Sequence, residues 1–332
     1  MTGQSPSQQP SSGREPGLGP GERPGISGFE PLLGGSRRAK ADPERMKALL
    51  NSDPGPRQTA ILEAIEEFGQ SDIYAAELSA LIPASARRQM GTGRGGFTPS
   101  QRERAVTILA RIGLYESLAA LVHVLDDGDH KIRSAAEASL KAVVDRLPLD
   151  DPRTKVAYRA LVGTLRALPR RPRQVIAAII SDAPSDLVLG SLLRKGLDAP
   201  EWYARRDAAW ILGRLGDRRA TMRLIDTLSD ENPAVRATAA WALGQLDAPI
   251  AVNHLIELAS DQDEVVRAAV AESLGLHISR LYRDDRDIDE ALAALLGLLK
   301  DPFSAVRHAA LDTLLDLDVP RARLALKDQG KV

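Results

Sequence analysis

Apolar positions in residues 230–261 recur with the period of an α-helix rather than that of a β-strand. The apolar stripe of the first half, which spans about 100° of a helical wheel, consists of Ala239, Ala242, Leu243 and Leu246. Before it, Asn232 and Pro233 are typical of an N-cap and the first position of a helix. After a short break comes a second inward series of Val252, Leu255, Ile256 and Ala259. The segment therefore predicts a pair of amphipathic helices.

The same pattern recurs along the chain. Arg205, Arg236 and Arg267 are spaced by 31 residues, and Arg307 follows 40 residues later because the segment around residues 280–289 is longer. A more distant copy carries Arg133. Self-similarity at a fixed period indicates a solenoid, since one helix pair cannot bury its apolar faces alone and must stack on its neighbours. We predict an all-α fold, an α-solenoid with a right-handed superhelix of about six to eight helix pairs.

The repeat resembles a known family. Its pattern, D-x-x-x-x-V-R-x-x-A-A-x-A-L-G-x-L with a period near 31 residues, is similar to the short HEAT-type repeat called PBS lyase HEAT-like. The resemblance covers residues 113–328 and is strongest over residues 202–317. It implies a HEAT-like array over residues 98–330. It leaves the function open, because the family includes bilin-lyase subunits, deoxyhypusine hydroxylases and many scaffolds.

The N-terminal part of the chain has a different composition. Residues 1–40 are rich in Gly, Pro and Ser and poor in apolar side chains, which predicts a disordered tail. Residues 41–97 predict a helical cap followed by a Gly-rich loop. We favour a flexible connector for that loop. The alternative is an anion site at the start of the next helix, formed by Arg88, Gly93, Arg94 and Gly96.

Composition narrows the possible chemistry. The chain has no cysteine, which excludes thiol catalysis and disulfides, and a net charge of -1, which gives no global field to attract nucleic acid. No apolar run approaches the roughly 18 residues that span a bilayer. Deoxyhypusine hydroxylases of the resembling family hold iron with His-Glu pairs, and this sequence has no His-Glu dipeptide. We therefore expect a cytoplasmic protein with no cofactor, metal site or membrane segment.

The recurring arginines are the first candidates for binding. An aspartate stands six residues before three of them, at Asp230, Asp261 and Asp301. A line of arginines could bind an anionic ligand. We favour a structural role, in which each arginine ties its helix to the aspartate-bearing turn of its own unit. The densest basic cluster could contact phosphates, although we favour a solvated turn; it consists of Arg166, Arg170, Arg171 and Arg173.

Two further surfaces are candidates for protein binding. Trp210 and Trp241 are equivalent in adjacent units and face away from the apolar stripe, so they would lie side by side. They could anchor a partner, since tryptophan is enriched at interface hot spots, or cover the groove between helices. The second helices would present a mixed polar face, which we favour as the contact surface; its outward positions are Arg219, Met222, Arg223, Asp226, Ile250, Asn253, His254 and Glu257.

The sequence favours a non-catalytic scaffold that presents an extended repeat surface to a partner protein of unknown identity. The strongest alternative is a bilin-lyase-like subunit that acts on a tetrapyrrole-carrying partner, and this would make the chain a PBS lyase-like enzyme. That alternative rests on the family resemblance alone. Nucleic-acid binding ranks third, because the net charge is close to zero.

Overall fold

The computed structural model describes residues 99–112, 114–246, 248–280, 286–317 and 320–328. Within these ranges it contains fourteen α-helices and no strand. The predicted tail, helical cap and Gly-rich loop lie outside the described residues, as do the candidate anion-binding residues Arg88, Gly93, Arg94 and Gly96.

The helices alternate as first and second members of seven pairs. The first helices are α1 (Pro99–Ile112), α3 (His130–Asp145), α5 (Arg170–Ser181), α7 (Trp202–Leu215), α9 (Pro233–Gln245), α11 (Glu264–Arg280) and α13 (Ser304–Asp316). The second helices are α2 (Tyr115–Val124), α4 (Pro152–Thr164), α6 (Ser185–Ser191), α8 (Thr221–Thr227), α10 (Val252–Leu258), α12 (Arg286–Leu298) and α14 (Pro320–Asp328). A π-helical turn (Leu192–Gly196) extends α6, and short 3-10 turns, Arg218–Ala220 and Pro249–Ala251, precede α8 and α10.

Local sequence accounts for the start and the buried face of α9. The side chain of Asn232 accepts a hydrogen bond of 2.9 Å from the N–H of Ala234, and Pro233 occupies the first helical position. The whole predicted apolar stripe of α9 is buried. In α10, Val252 and Leu255 are buried, whereas Ile256 is half-buried. The predicted pair of amphipathic helices is therefore present, and each of α7, α9 and α11 packs on the next first helix.

Glycine sets how closely the first helices approach one another. A Cβ on Gly213 would lie 2.7 Å from Cζ3 of Trp241 and 2.8 Å from Cα of Ala242. A Cβ on Gly244, the equivalent residue of the next unit, would lie 2.9 Å from Cα of Ser273. These separations are too short for any side chain, so the stacking of α7, α9 and α11 depends on glycine at this position. The predicted α-solenoid is confirmed.

Candidate functional site

Each first helix carries an arginine at its fourth position, and we call this set the arginine series. Its members are Arg102, Arg133, Arg173, Arg205, Arg236, Arg267 and Arg307. Arg236 shows the arrangement. Its Nη1 donates to the carbonyl oxygen of Asp230 at 2.9 Å, while Nε and Nη2 each donate to Asp261 at 2.8 Å. The carboxylate partner thus belongs to the next unit.

The predicted link from each arginine to the aspartate-bearing turn of its own unit is present, and a second link that was not predicted extends to the next unit. The turn of the same unit supplies carbonyl oxygens, whereas the following turn supplies the carboxylate. Stacking brings the following turn beside the arginine. The same inter-unit pairs are Arg102–Asp127, Arg205–Asp230, Arg236–Asp261 and Arg267–Asp301. Because these guanidinium groups are already bound, the structure does not offer them as a continuous anion-binding line.

The pairs alter the acidity of their members. Hydrogen bonds from Arg267 hold the pKa of Asp301 below its usual range. For Asp261, burial acts to raise the pKa, but hydrogen bonds from Arg236 and from the N–H of Asp263 outweigh burial and lower it. The pKa of Arg236 is raised in turn by its bond to Asp261. Both partners therefore stay charged at neutral pH.

Arg173 departs from the pattern. It is 1% exposed, and its Nε lies 2.5 Å from Oδ2 of Asp207 on α7. Its guanidinium carbon also lies 4.3 Å from the centroid of the Tyr203 ring. Ala199 stands six residues before Arg205, where other units carry aspartate, so Arg173 takes a partner from the next helix instead. The predicted solvated turn is wrong for Arg173, whereas Arg166, Arg170 and Arg171 are exposed.

Sequence reasoning missed two members of the arginine series, Arg102 and Arg173. Both lie three residues after the start of a helix, as Arg236 does. The signal was present at Arg102, because Pro99 marks that helix start and Asp127 follows at the separation seen between Arg236 and Asp261. At Arg173 the equivalence was concealed because Ala199, rather than an aspartate, stands six residues before the next arginine, Arg205.

The tryptophans do not pair with each other. Trp241 is half-buried and covers Gly213 of the preceding helix. Trp210 is half-buried, and the guanidinium of Arg214 lies 5.9 Å from its ring centroid. Among the described residues, the two rings in contact are those of Trp202 and Tyr203. Trp210 and Trp241 thus make no ring contact with each other in the described residues, and their placement side by side and their role in partner binding stay predictions.

Arg219 and Arg223 on the predicted contact face are held by acidic neighbours. Nη2 of Arg219 donates to Oδ1 of Asp186 on α6 at 2.6 Å and to Oδ2 of Asp217 at 2.6 Å. The hydrogen bond from Arg219 holds the pKa of Asp217 well below its usual range. Nη2 of Arg223 donates to Oδ1 of Asp198 at 2.5 Å. Both side chains are thus fixed in place before any partner arrives.

The neighbouring unit presents the unoccupied part of this face. Asn253, His254 and Glu257 on α10 are exposed. Two large apolar side chains also lie on outward positions, one on α8 and one on the turn before α10, with Met222 exposed by 58% and Ile250 by 61%. We call Met222, Ile250, Asn253, His254 and Glu257 the α8–α10 face.

A metal site and a membrane-spanning helix are both absent from the part of the chain that the structure describes. There, no three His, Asp or Glu side chains gather closely enough to hold a metal ion. None of the helices in the same ranges combines the length and the apolar character needed to cross a bilayer.

Comparison with known proteins supports the repeat assignment. The family model of HEAT repeats matches residues 190–275. No curated protein sequence matches the chain.

The solved structures that match the chain include three with low identity. The complex of CpcE and CpcF of phycocyanin lyase from Nostoc sp. is 22% identical, with 47% of this chain and 97% of that chain covered and a TM-score of 0.43. An engineered protein is 19% identical, with coverage of 88% and 82% and a TM-score of 0.41. Human deoxyhypusine hydroxylase in complex with glycerol is 18% identical, with coverage of 78% and 95% and a TM-score of 0.33. Values this low transfer neither an activity nor a partner. The chain is an α-solenoid, and the family model places HEAT repeats at residues 190–275 within it.

Proposed function

We propose that the chain is a non-catalytic scaffold that binds a partner protein through the α8–α10 face. The observation that carries this proposal is the exposure of Met222 and Ile250 in adjacent units, beside polar side chains. Protein interfaces commonly place apolar anchors at the centre and polar groups at the rim. Asn253, His254 and Glu257 supply donors and acceptors next to Ile250.

The neighbouring arginines strengthen the proposal. Arg219 and Arg223 are already ordered by Asp186, Asp217 and Asp198. A side chain that is fixed in the free protein loses little conformational entropy on binding. The edge of the α8–α10 face is therefore prepared for a partner, and its remaining N–H groups can donate to carbonyl or carboxylate oxygens.

Affinity capture with the full chain, followed by binding measurements on the recovered partner, tests the proposal. The variant Ile250→Ala with His254→Ala should weaken binding at least tenfold, because it removes one apolar anchor and one polar group. A matched control is Leu315→Ala with His308→Ala, which changes the same types of exposed side chain on α13. If both double variants bind the partner as tightly as the parent chain, the α8–α10 face is not the contact surface.

Trp210 and Trp241 are less informative targets for this test. Truncation of Trp241 would open space above Gly213, so a loss of binding would be mixed with a loss of stability. Arg223→Ala has a simpler reading because the side chain lies at the surface, and we expect it to weaken binding by less than the loss of Ile250 and His254.

The bilin-lyase-like alternative rests on the resemblance of the repeat sequence. It predicts that a free bilin added to the purified chain changes its visible absorbance, whereas the scaffold proposal predicts the spectrum of the bilin alone. Nucleic-acid binding predicts a salt-dependent gel shift. The scaffold proposal predicts no shift.

A further inference from the structure

Arg133 on α3 is an interior member of the arginine series that meets no carboxylate. Its Nη1 donates to the carbonyl oxygens of Asp127 and Gly128 at 2.6 and 3.0 Å, as other members do to their own turns. Within the described residues Arg133 has no ion pair. The members of the series that do form one are Arg102, Arg173, Arg205, Arg236 and Arg267. The Nε and Nη2 groups of Arg133 therefore keep their capacity to donate hydrogen bonds.

The cause lies at Ala167. This residue stands six positions before Arg173, as Asp261 stands six positions before Arg267. The two turns share a backbone hydrogen bond at this place, since the N–H of Ala167 donates to the carbonyl of Thr164 at 2.9 Å and that of Asp261 donates to the carbonyl of Leu258 at 3.0 Å. An alanine at this place has no acceptor group. Arg173 also faces an alanine at this place, Ala199, but it pairs with Asp207 on α7 instead. Arg133 has no such alternative carboxylate among the described residues.

A crevice of about 40 Å³ opens beside Arg133, between α3 and α5. These two helices pack less closely than α9 and α11 do. The polar side chains that line the crevice are His130, Arg133, Ser134, Glu137 and Arg171. A cavity needs roughly 10–15 Å³ of free space to hold one water molecule, so a small polar group can enter.

The lining favours an anion. Arg171, His130 and Ser134 are exposed and, in the part of the chain described, have no hydrogen-bond or ion-pair partner. Two guanidinium groups and a hydroxyl give more donors than a single carboxylate uses, and arginine is well suited to bidentate binding of phosphate. Glu137 is the one acidic group in the lining, so the two arginines leave the crevice with a net positive charge.

We propose that Arg133 and Arg171 bind an oxyanion of the phosphate class in this crevice. The ligand supplies the negative charge that aspartate supplies to the other arginines, and Ser134 and His130 donate further hydrogen bonds to it. The source is either a free phosphate ion or a phosphorylated side chain. The site lies on α3 and α5 rather than on the α8–α10 face, so its failure would leave the proposed scaffold function untouched.

Calorimetric titration of the full chain with inorganic phosphate, in a buffer free of other oxyanions, tests the proposal. Saturable binding is expected, and Arg133→Gln and Arg171→Gln should each weaken it at least tenfold. Arg307→Gln is the matched control, because Arg307 has the same position in its unit, makes the same bonds to its own turn and does not line the crevice. Glu137→Gln should strengthen binding severalfold by removing the opposing charge.

Ala167→Asp provides a second test that requires no loss of arginine. The new carboxylate would stand where Asp261 stands for Arg236, pair with Arg133 and abolish phosphate binding while raising the melting temperature. Titration with phosphoserine amide and with serine amide separates the two sources of the ligand. If the natural ligand is a phosphorylated side chain, phosphoserine amide should bind more tightly than inorganic phosphate. If it is a free phosphate ion, inorganic phosphate should bind at least as tightly. The proposal is overturned if phosphate shows no saturable binding, or if Arg133→Gln or Ala167→Asp binds it as the parent chain does.

Discussion

The ion pair between Arg236 and Asp261 should be one of the strongest polar links between units. It joins α9 to the turn before α11 through two hydrogen bonds of 2.8 Å, and its side chains are only 16% and 9% exposed. Asp261 also accepts the N–H of Asp263 at 2.9 Å. Breaking a fully buried pair costs about 3–5 kcal/mol, and exposed pairs contribute less than about 1 kcal/mol. Because this pair is partly screened by solvent, we expect a coupling energy of about 2 kcal/mol.

A double-mutant cycle measures this coupling. Asp261→Ala, Arg236→Ala and the double variant are unfolded in urea and followed by circular dichroism at 222 nm. The slopes of the unfolding curves must agree among variants, because repeat arrays can unfold in parts. The control is the pair of Arg219 and Asp186, which joins the 3-10 turn before α8 to α6 at the surface with side chains that are 58% and 79% exposed. Its coupling should be smaller, below about 1 kcal/mol.

The reasoning would be refuted by equal coupling in the two cycles. A small value for Arg236 and Asp261 would mean that desolvation of the charges cancels their attraction. The inter-unit carboxylates would then fix only the relative position of adjacent units and would add nothing to their stability.

Three further predictions concern stability. Gly213→Ala should destabilise the chain by about 2–3 kcal/mol, because its Cβ would meet backbone atoms of the next helix. Gly163→Ala should instead stabilise α4 by about 0.5–1 kcal/mol, because a Cβ at Gly163 would meet no atom within 4 Å. Thermal unfolding measures both effects. The pKa of Asp301 is lower in the folded chain than its value of about 3.9 in the unfolded chain. The resulting stability is present above about pH 3.9 and is lost as the pH falls through the folded pKa. The melting temperature of Asp301→Asn should therefore fall less between pH 5 and pH 3 than that of the parent chain. Asp207→Ala removes the carboxylate that lies 2.5 Å from the buried guanidinium of Arg173 and should cost about 3–5 kcal/mol in urea unfolding; a cost below about 1 kcal/mol would contradict the burial of this pair.

The sequence contained enough information for the fold because its signals are local. Asn232 and Pro233 mark a helix start, and the spacing of small and large apolar residues selects one buried face. Both signals act within a single helix, and repetition then implies stacking. The carboxylate partner of Arg236 cannot be read from one helix. The side chains of Asp230 and Asp261 are both candidates, and only the stacked arrangement selects Asp261.

The candidate surfaces show the same limit. The helical wheel placed Asn253, His254 and Glu257 outward, and they are exposed. It could not show that Arg219 and Arg223 are tied to acidic side chains that come from the preceding unit and its turn. It also placed Trp210 and Trp241 in equivalent positions, but equivalence does not fix ring contact, which depends on what the next helix presents to each ring.

A disulfide cross-link between α11 and α13 tests the stacked arrangement most directly. A Cβ on Gly275 would lie 3.6 Å from Cβ of Thr313, within the roughly 3.5–4.5 Å that disulfides require, and the chain has no cysteine of its own. Gly275→Cys with Thr313→Cys should lose both free thiols on mild oxidation and remain monomeric. Gly275→Cys with Leu315→Cys, whose second site is 53% exposed on α13, should keep both thiols. If the first pair stays reduced under conditions that oxidise a control peptide, α11 and α13 do not lie against each other and the stacked array is wrong.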